Sequence, residues 1–534
     1  MPSAADNLDF IPDALIEETP SHWRLETFLG FVYISLTIGA IALIIEFSPA
    51  ERATTFFSTV GMIAVWRYSW MMTHFARAWV FLKHRYPKMR FDADEAGARQ
   101  KVEHVYAIVM SYKVDPVEYH AVYDALIKNV LDYGRPTTIV ASVTSHRDRH
   151  LMKQIWEENG SPSTIEIVTQ FQLGDGKRSA MAMALRVITR RAPSLNSVTV
   201  FMDGDIILEP GALRRTIPFF ISQPDIGAIT TNNDSVVAGD HITREWYTLR
   251  YAQRHVLMAS MALSKRLLVL TGRYSIFRTQ YATDPEFIAM LDDDKITHWR
   301  FGTFKFVSGD DKSTWYYCMQ RRVKMLYVPD VKAYGLEELP DRDRFFLSSK
   351  GLMIRWFGNM MRTSGRAIAL GPATCGFFTW WALVDQRLSM WTSLVGPILA
   401  IMFALIISPI YLLFYVVWIA ITRLLFSIVF GASYRRFSFL WPFLLYYNQF
   451  YGSLLKIYMS FRLNKQGWNR QKVAGRKQVN GWEVFSSVTL HATAMITFAF
   501  MMGVISGQFT VPSTTDLALT FKTMTWSGVQ TGGL

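Results

Sequence analysis

Two acidic motifs in this chain could carry chemistry, and the first is Asp203-Gly204-Asp205. It directly follows an apolar run, residues 198–202, which has the pattern of a buried strand. Two carboxylates one residue apart at a strand end can hold a hard cation such as Mg²⁺, which usually keeps phosphate groups as partners. The motif therefore indicates an enzyme that handles a nucleotide diphosphate, although short acidic pairs at strand ends are also often plain solvated loop residues.

The second acidic motif is Ser308-Gly309-Asp310-Asp311-Lys312, which precedes a predicted helix over residues 313–322. A carboxylate at a helix start is stabilised by the free N–H groups and the helix dipole, so one interpretation is a helix cap. The other is a general base, because a sugar hydroxyl that attacks an activated sugar must lose its proton. The dipole is expected to keep Asp311 ionised, as a base requires.

Basic and aromatic residues form a third group of candidates. Arg355-Trp356 lies in the basic segment 350–366, where an arginine fork could bind a diphosphate and the indole could stack on a sugar. The alternative is an interfacial helix with Trp at headgroup depth and Arg reaching the water. Lys177 and Arg178 begin a predicted helix and could meet phosphate or carboxylate, or could be an ordinary basic helix start.

Composition places these motifs in a membrane protein with a large soluble part. The chain has 534 residues, of which 50% are hydrophobic, and a mean hydropathy of +0.14. The formal net charge of +13 fits cytoplasmic loops or anionic substrates, and no compact basic motif supports nucleic acid binding. Two cysteines imply no disulfide framework, and the polar, acidic first 26 residues do not resemble a signal peptide.

Apolar stretches predict five membrane spans, at residues 28–47, 55–82, 388–408, 411–430 and 484–504. Residues 437–459 are also apolar but contain Asn448, Gln449 and Gly452, and a basic stretch follows them. Because that basic stretch should stay cytoplasmic, an interfacial or re-entrant segment is expected there.

Between the spans, residues 95–345 alternate strand and helix patterns. The predicted strands are 105–112, 137–143, 164–169 and 198–203, and the predicted helices are 117–133, 150–159 and 178–190. This alternation predicts a mostly parallel sheet. Ligands bind such sheets beyond the carboxyl ends of the strands, which is where Asp203-Gly204-Asp205 falls.

The order of these motifs resembles that of the processive family 2 glycosyltransferases, which include the synthases of cellulose, chitin, hyaluronan and alginate. The resemblance implies a cytosolic α/β GT-A (Rossmann-like) domain embedded between transmembrane helices. We expect a tail over 1–27, two spans within 28–82, the GT-A domain over 83–350 and interfacial helices over 351–392. A channel region over 393–505 with a basic gating-type loop at 460–480, and a tail over 506–534, complete the expected organisation.

The resemblance also implies roles for individual residues. Asp203 and Asp205 correspond to the metal-binding motif, and Asp311 to the catalytic base beside Asp310. The expected contacts to the donor and its diphosphate come from a basic and aromatic set: Lys177, Arg355, Trp356, Trp468 and Arg470. Trp468 and Arg470 belong to Gln466-Gly467-Trp468-Asn469-Arg470, which resembles the gating segment of the family or is a basic loop attracted to anionic lipid. Arg273 and Trp356 are the expected acceptor-binding residues.

Two positions depart from the family pattern. Leu352 stands where the family has a glutamine, and Ala141-Ser142-Val143-Thr144-Ser145 replaces its early paired aspartates. These departures and several local strings, among them Arg355-Trp356-Phe357-Gly358-Asn359-Met360, resemble the alginate-polymerising members.

That closer resemblance implies a GDP-mannuronate donor, Mg²⁺ or Mn²⁺, and an inverting reaction that extends poly-β-1,4-mannuronate. It also implies passage of the polymer across the bacterial inner membrane and a PilZ-domain co-polymerase subunit that binds c-di-GMP.

Two alternatives stay open. One is another membrane polysaccharide synthase that uses a UDP-sugar. The other is a transporter or channel with a regulatory cytosolic domain, which would need charged residues within several spans, and the sequence shows no such series. The run Asp292-Asp293-Asp294 is expected to be a solvated loop.

Overall fold

The computed structural model describes residues 8–17, 22–48, 50–172, 176–466 and 480–507. The central feature is an eight-stranded sheet with the order β3-β2-β1-β4-β7-β6-β10-β5, accompanied by a separate β8–β9 hairpin. The strands are β1 His104–Met110, β2 Thr137–Val143, β3 Ile165–Phe171, β4 Ser197–Asp203, β5 Ile206–Leu208, β6 Ile226–Ala238, β7 Tyr274–Arg278, β8 Lys295–His298, β9 Gly302–Lys305 and β10 Lys324–Glu338.

Helices cover this sheet and continue into the apolar regions at both ends of the chain. They are α1 Trp23–Phe47, α2 Ala50–Val80, α3 Tyr86–Arg99, α4 Pro116–Tyr133, α5 His146–Glu158, α6 Lys177–Thr189, α7 Ala212–Thr216, α8 Phe219–Ser222, α9 His241–Ala262, α10 Thr279–Ala282, α11 Pro285–Asp293, α12 Asp310–Gln320, α13 Phe345–Ala369, α14 Gly371–Cys375, α15 Phe377–Ile406, α16 Ile410–Tyr434, α17 Trp441–Ser460 and α18 Gly481–Ile505. A short π-helical turn, Phe81–Arg85, joins α2 to α3.

The predicted α/β alternation is confirmed for β1 to β4 and the helices between them. The sheet is mixed, however: β6 and β10 pair in parallel, but the prediction of a mostly parallel sheet was wrong for β7 and β5. Strands β3, β2, β1 and β4 are parallel, but β7 runs antiparallel to both β4 and β6, and β5 runs antiparallel to β10. The strands that cause the difference follow β4 in the chain, beyond the region where the alternation was evident.

Local signals explain where the first crossover helices begin and end. Asp115 caps α4 by accepting a hydrogen bond from the Val117 N–H, and α4 ends at Gly134 in the left-handed region, φ 67°. Helix α5 starts four residues before the predicted position, because Ser145 and Asp148 form a capping box. The string that replaces the paired aspartates of the family therefore ends β2 and caps α5.

Four helices among the described residues are long and apolar enough to cross a membrane: α1, α15, α16 and α18. The predicted span at 55–82 folds as α2, which is not among the four. Helix α15 begins at Phe377, eleven residues before the predicted span. Within the segment predicted to be interfacial or re-entrant, α17 forms one continuous helix over Trp441–Ser460 and is not among the four candidate spans, with Trp441 and Ile457 fully buried.

Helix α9 joins the sheet to helices from both ends of the chain. The Arg77 guanidinium on α2 donates to the carbonyl oxygen of Ser260 at 3.1 Å. The Trp246 indole N–H donates to Asn448 Oδ1 on α17 at 2.8 Å. Glu245 is buried, and it accepts hydrogen bonds from Arg436 at 2.7 Å and from the Trp441 indole at 2.8 Å. The sheet domain is thus fixed to the helices that follow it in the chain.

Candidate active site

The Asp203-Gly204-Asp205 turn lies at the carboxyl end of β4, as the sequence predicted. The Gly204 N–H donates to the Met110 carbonyl oxygen at the end of β1, at 2.9 Å. A Cβ atom on Gly204 would lie 2.6 Å from that oxygen, so this close approach requires glycine. On the other side, the Leu336 N–H of β10 donates to the Asp205 carbonyl oxygen at 3.2 Å. Two strands therefore fix the orientation of both carboxylates.

Lys177 connects the two acidic motifs. Its ammonium group lies 2.5 Å from Asp203 Oδ1 and 2.7 Å from Asp310 Oδ2. It reaches them from the first turn of α6, which follows the carboxyl end of β3. Gly272 leaves room for this contact, since a Cβ atom there would lie 3.0 Å from Lys177 Nζ and 3.4 Å from an oxygen of each carboxylate. The fold thus brings together residues that are far apart in the chain.

The electrostatics of this cluster follow from burial and from the shared cation. Burial raises the pKa of Asp203, the neighbouring carboxylates of Asp205 and Asp310 raise it further, and Lys177 opposes the shift. Burial would raise the pKa of Asp310 as well, but Lys177 outweighs it, and the pKa lies below its usual value. Burial likewise disfavours the charged form of Lys177, yet the two carboxylates raise its pKa. The ammonium group is therefore firmly charged.

The cluster fits a divalent cation that binds together with a substrate phosphate. Among the residues that the structure describes, no group of three or more His, Cys, Asp or Glu side chains is arranged as a complete metal site. Mg²⁺ is usually held by one or two carboxylates plus substrate phosphates, and not by an all-protein cage. Asp203 and Asp205 supply that number of carboxylates.

The turn before α12 presents Asp310 and Asp311. Gly309 adopts φ 91°, in the left-handed region that favours glycine. The Ser308 hydroxyl donates to Asn359 Oδ1 at 3.0 Å, and the Arg362 guanidinium donates to the same oxygen at 2.7 Å. Asn359 therefore attaches this turn to α13, the helix that also carries the Arg355-Trp356 motif.

The two carboxylates of this turn differ in their surroundings. Asp310 is paired with Lys177, whereas Asp311 makes no ion pair with any of the described residues. Burial raises the pKa of Asp311, and the adjacent Asp310 raises it too, against the lowering effect of Lys312. Burial therefore acts against the stabilisation of the ionised form that was expected from the helix start. A raised pKa makes Asp311 a stronger proton acceptor once it is ionised.

Arg178, the neighbour of Lys177, belongs to a buried structural network. It donates to Ser313 Oγ at 3.0 Å and lies 3.6 Å from Asp294 Oδ2. Asp294 is only 4% exposed, and it also accepts hydrogen bonds from Ser313 at 2.6 Å and from Arg366 at 2.9 Å. The prediction of a solvated loop over residues 292–294 was thus wrong for Asp294, which links the starts of α6 and α12 to α13.

Trp356 packs against the catalytic domain. Its ring lies 5.7 Å from the Trp246 ring in a stacked arrangement, and the Arg250 guanidinium lies 3.5 Å above its centroid. The indole therefore contacts α9. Arg355 is half-buried on the same helix, and Leu352, at the position of the family glutamine, is buried.

Arg273, the predicted acceptor ligand, is already engaged within the protein. Its guanidinium donates to the Asp234 carbonyl oxygen at 2.9 Å, to Ser235 Oγ at 3.1 Å and to Tyr251 Oη at 2.8 Å. It also forms an ion pair with Glu337. These contacts connect β6, α9 and β10 next to the acidic cluster, so Arg273 has a structural role whether or not it contacts an acceptor.

The predicted gating segment is anchored at its first residue. Gln466 is 7% exposed; its side-chain oxygen accepts from the Val307 N–H at 3.0 Å, and its amide donates to the Lys305 carbonyl oxygen at 2.8 Å. These contacts join Gln466 to the strand that leads into the Ser308-Gly309 turn. Trp468 and Arg470 lie outside the described residues.

Sequence reasoning missed the roles of three residues: Gly272, Asn359 and the anchoring side chain of Gln466. Gly272 directly precedes Arg273 in the sequence. Asn359 and Gln466 lie in the strings that were noted for Arg355 and Trp468. A short polar residue or a glycine beside a basic or aromatic one gives no periodic signal, and only tertiary contacts reveal what it does.

Comparisons with known proteins show which family the chain is similar to. The sequence profile of the family described as glycosyltransferase like family 2 matches residues 103–359, which include both acidic motifs and the Arg355-Trp356 motif. A protein named glycosyltransferase Alg8 from Pseudomonas syringae pv. tomato is 37% identical over 485 residues, covering 90% of this chain and 98% of the relative. One of the same name from Azotobacter vinelandii is 36% identical over 505 residues, covering 93% and 100%.

Among solved structures, a mannosyltransferase from Pyrobaculum calidifontis in complex with GDP-Man and Mn²⁺ is similar with a TM-score of 0.42 and 13% identity. That similarity covers 75% of this chain and 98% of the other.

Proposed function

The chain belongs to the Alg8 glycosyltransferases of family 2, and on that premise we propose that it polymerises mannuronic acid from GDP-mannuronate into β-1,4-linked polymannuronate. The observation that carries the proposal is the Lys177 bridge, which holds Asp203 beside Asp310 at the carboxyl end of β4 in a chain of this family. A glycosyltransferase needs a diphosphate site and a proton acceptor within reach of one sugar. Through Lys177, the candidate diphosphate site at Asp203 lies beside the turn of Asp310 that carries the candidate proton acceptor, Asp311.

In the proposed reaction, Asp311 accepts the proton of the acceptor hydroxyl as its oxygen attacks the anomeric carbon of the donor. The new C–O bond forms while the bond to the diphosphate breaks, and GDP leaves with the electron pair. Attack from the opposite side inverts the anomeric centre. Asp310 and Lys177 hold the turn that presents Asp311, and burial raises the basicity of its carboxylate.

Asp203 and Asp205 would hold the divalent cation, Mg²⁺ or Mn²⁺, together with the donor diphosphate. When bound, such an ion offsets the negative charge that develops on the departing diphosphate. Lys177 keeps Asp203 in place before the donor arrives, and its ammonium group lies where it can also contact a phosphate oxygen. Arg355, Trp468 and Arg470 are further proposed donor contacts.

The product is proposed to pass through the membrane helices, with the catalytic domain in the cytoplasm and α1, α15, α16 and α18 in the bacterial inner membrane. Their length and apolar composition support this placement. Trp356 and Arg273 are proposed acceptor contacts at the start of the path. A PilZ-domain co-polymerase that binds c-di-GMP is the proposed partner, on the strength of the family resemblance alone.

Donor competition tests the proposal. Membranes that contain the full chain, with and without the co-polymerase, are offered labelled GDP-mannuronate or UDP-sugars, and the label in polymer is measured. We expect incorporation from GDP-mannuronate. Incorporation only from a UDP-sugar would favour another membrane polysaccharide synthase, of the cellulose, chitin or hyaluronan type. No incorporation from any donor would favour a transporter or channel with a regulatory domain.

The base assignment needs its own variant. Asp311→Asn is expected to abolish polymer synthesis, by about 100-fold or more, because a general base contributes ~10²- to 10⁴-fold. The protein should remain folded, as judged by its thermal unfolding in detergent. The control is Asp132→Asn, which removes a surface carboxylate paired with Arg214 on the catalytic domain. Full activity of Asp311→Asn would contradict the assignment.

A further inference from the structure

A cavity of about 360 Å³ lies between the membrane helices and the catalytic domain. Helices α2, α9, α13, α15, α16 and α17 line it. Arg250 is one of the lining residues, and its guanidinium also covers the ring of Trp356. The cavity therefore begins beside the predicted acceptor end of the active site and continues among apolar helices.

Four cations line this cavity, each from a different helix: Arg67, Arg250, Arg423 and Lys456. None of the described lining residues is Asp or Glu. Arg67 pairs with Asp385, but that carboxylate balances only one of the four charges. Cations that lie far apart in the chain thus meet in one cavity.

The cations are held without full compensation from the protein. Arg423 is 8% exposed, and its Nε has no hydrogen-bond partner among the described residues; the same is true of the buried Nη1 of Arg250. The Lys456 ammonium lies 4.9 Å from the centroid of the Phe357 ring. A buried charge that is only partly paired is costly. Arg423 lies on α16, one of the four candidate membrane spans, and a charged residue within a membrane helix usually marks a path for a charged ligand.

We infer that this cavity binds the growing polymer through its carboxylates, so that its cations select a polyuronate over a neutral polysaccharide. The inference rests on the proposed function, because that function supplies a polymer with one carboxylate on each sugar. Gln253, Asn448 and Gln449 also line the cavity and can hydrogen-bond the sugar hydroxyls. Two observations favour a polymer over an anionic lipid. The cavity adjoins Trp356 through Arg250. Its side-chain amides can form hydrogen bonds with sugar hydroxyls but not with an acyl chain.

A binding experiment on the purified full-length chain in detergent tests this inference. The probes are a labelled oligomannuronate and a neutral β-1,4-mannan oligosaccharide of equal length. Arg423→Gln and Lys456→Gln should each weaken oligomannuronate binding about 10- to 100-fold, which is typical for the loss of one charged hydrogen bond. They should change binding of the neutral oligosaccharide little. Arg423→Lys, which keeps the charge, should retain most of the affinity.

The matched control is Lys153→Gln, because Lys153 is an exposed lysine on α5, far in the fold from the cavity. Unchanged oligomannuronate affinity in both cavity variants, or equal binding of the neutral probe by the wild type, would overturn the inference. So would an anionic phospholipid that co-purifies with the wild type, is lost in both variants and is not displaced by oligomannuronate. If Arg423→Gln does not fold, Lys456→Gln still decides the question.

Donor incorporation separates this inference from the proposed function. If wild-type membranes incorporate mannuronate while the cavity variants bind the oligomer normally, only the cavity assignment fails. If the wild type neither incorporates mannuronate nor binds the oligomer, the proposed function itself fails.

Discussion

Replacing Lys177 by methionine should uncouple the two acidic motifs, and the cost can be worked out from the structure. The ammonium group is shared between Asp203 and Asp310, and the side chains of Lys177, Asp203 and Asp310 are 21%, 27% and 13% exposed. Breaking a fully buried ion pair costs about 3–5 kcal/mol, and an exposed pair contributes less than about 1 kcal/mol. With this partial exposure, we expect Lys177→Met to destabilise the catalytic domain by about 2–3 kcal/mol.

Thermal unfolding of the purified chain in detergent measures this loss. A destabilisation of this size lowers the midpoint of a domain of this length by about 4–12 °C. Without its ammonium group, the acidic cluster should attract a cation more strongly. Added Mg²⁺ or Mn²⁺ should therefore raise the unfolding midpoint of Lys177→Met more than that of the wild type, even without a nucleotide.

Lys128→Met is the matched control, since Lys128 forms an exposed pair with Asp124 on α4 and should change the midpoint little. If Lys177→Met unfolds at the wild-type temperature and responds to divalent cations no more than the wild type does, Lys177 does not balance this cluster. The proposed metal site at Asp203 and Asp205 would then lose its electrostatic support.

Three further predictions follow from packing. Gly204→Ala should reduce polymer synthesis by at least about 10-fold, measured as initial rates, because the added Cβ displaces the turn proposed to bind the metal. The control Gly39→Ala, with nothing within 4 Å of its Cβ, should not reduce the rate. Asn359→Ala should lower kcat about 10-fold with little change in unfolding temperature, because it releases the turn that presents the base, and an unchanged kcat would refute that role. Asp294→Asn should destabilise the fold by about 3 kcal/mol, and the neighbouring Asp292→Asn by less than about 1 kcal/mol, as measured by thermal unfolding.

The sequence predicted the parts of the structure that have a regular pattern. Strands β1 to β4, their crossover helices and the position of Asp203 at a strand end were confirmed, because apolar runs and caps are local signals. Antiparallel β7 could not be predicted, since strand direction within a sheet depends on tertiary pairing. The burial of Asp294 and the Lys177 bridge depend on contacts across many residues, and no spacing rule reports them.

The clustering of cations in the membrane cavity also could not be predicted from their spacing in the sequence. Arg67 and Arg423 are separated by most of the chain, and each alone resembles an isolated charge in an apolar stretch. Only the packing of α2 against α16 brings both to one cavity. The burial that raises the pKa of Asp311 could not be predicted for a related reason, because burial is a property of the folded molecule.

The attachment of α9 to the membrane helices has a consequence for protein production. A soluble fragment cut after β10 would keep α9 but lose Arg436, Trp441 and Asn448, which satisfy Glu245 and Trp246 in the whole chain. Glu245 is 2% exposed and Trp246 is fully buried, so such a fragment would present a bare carboxylate and a large apolar face to water. The glycosyltransferase domain and its membrane helices therefore form a single folding unit, and the enzyme has to be extracted and assayed whole.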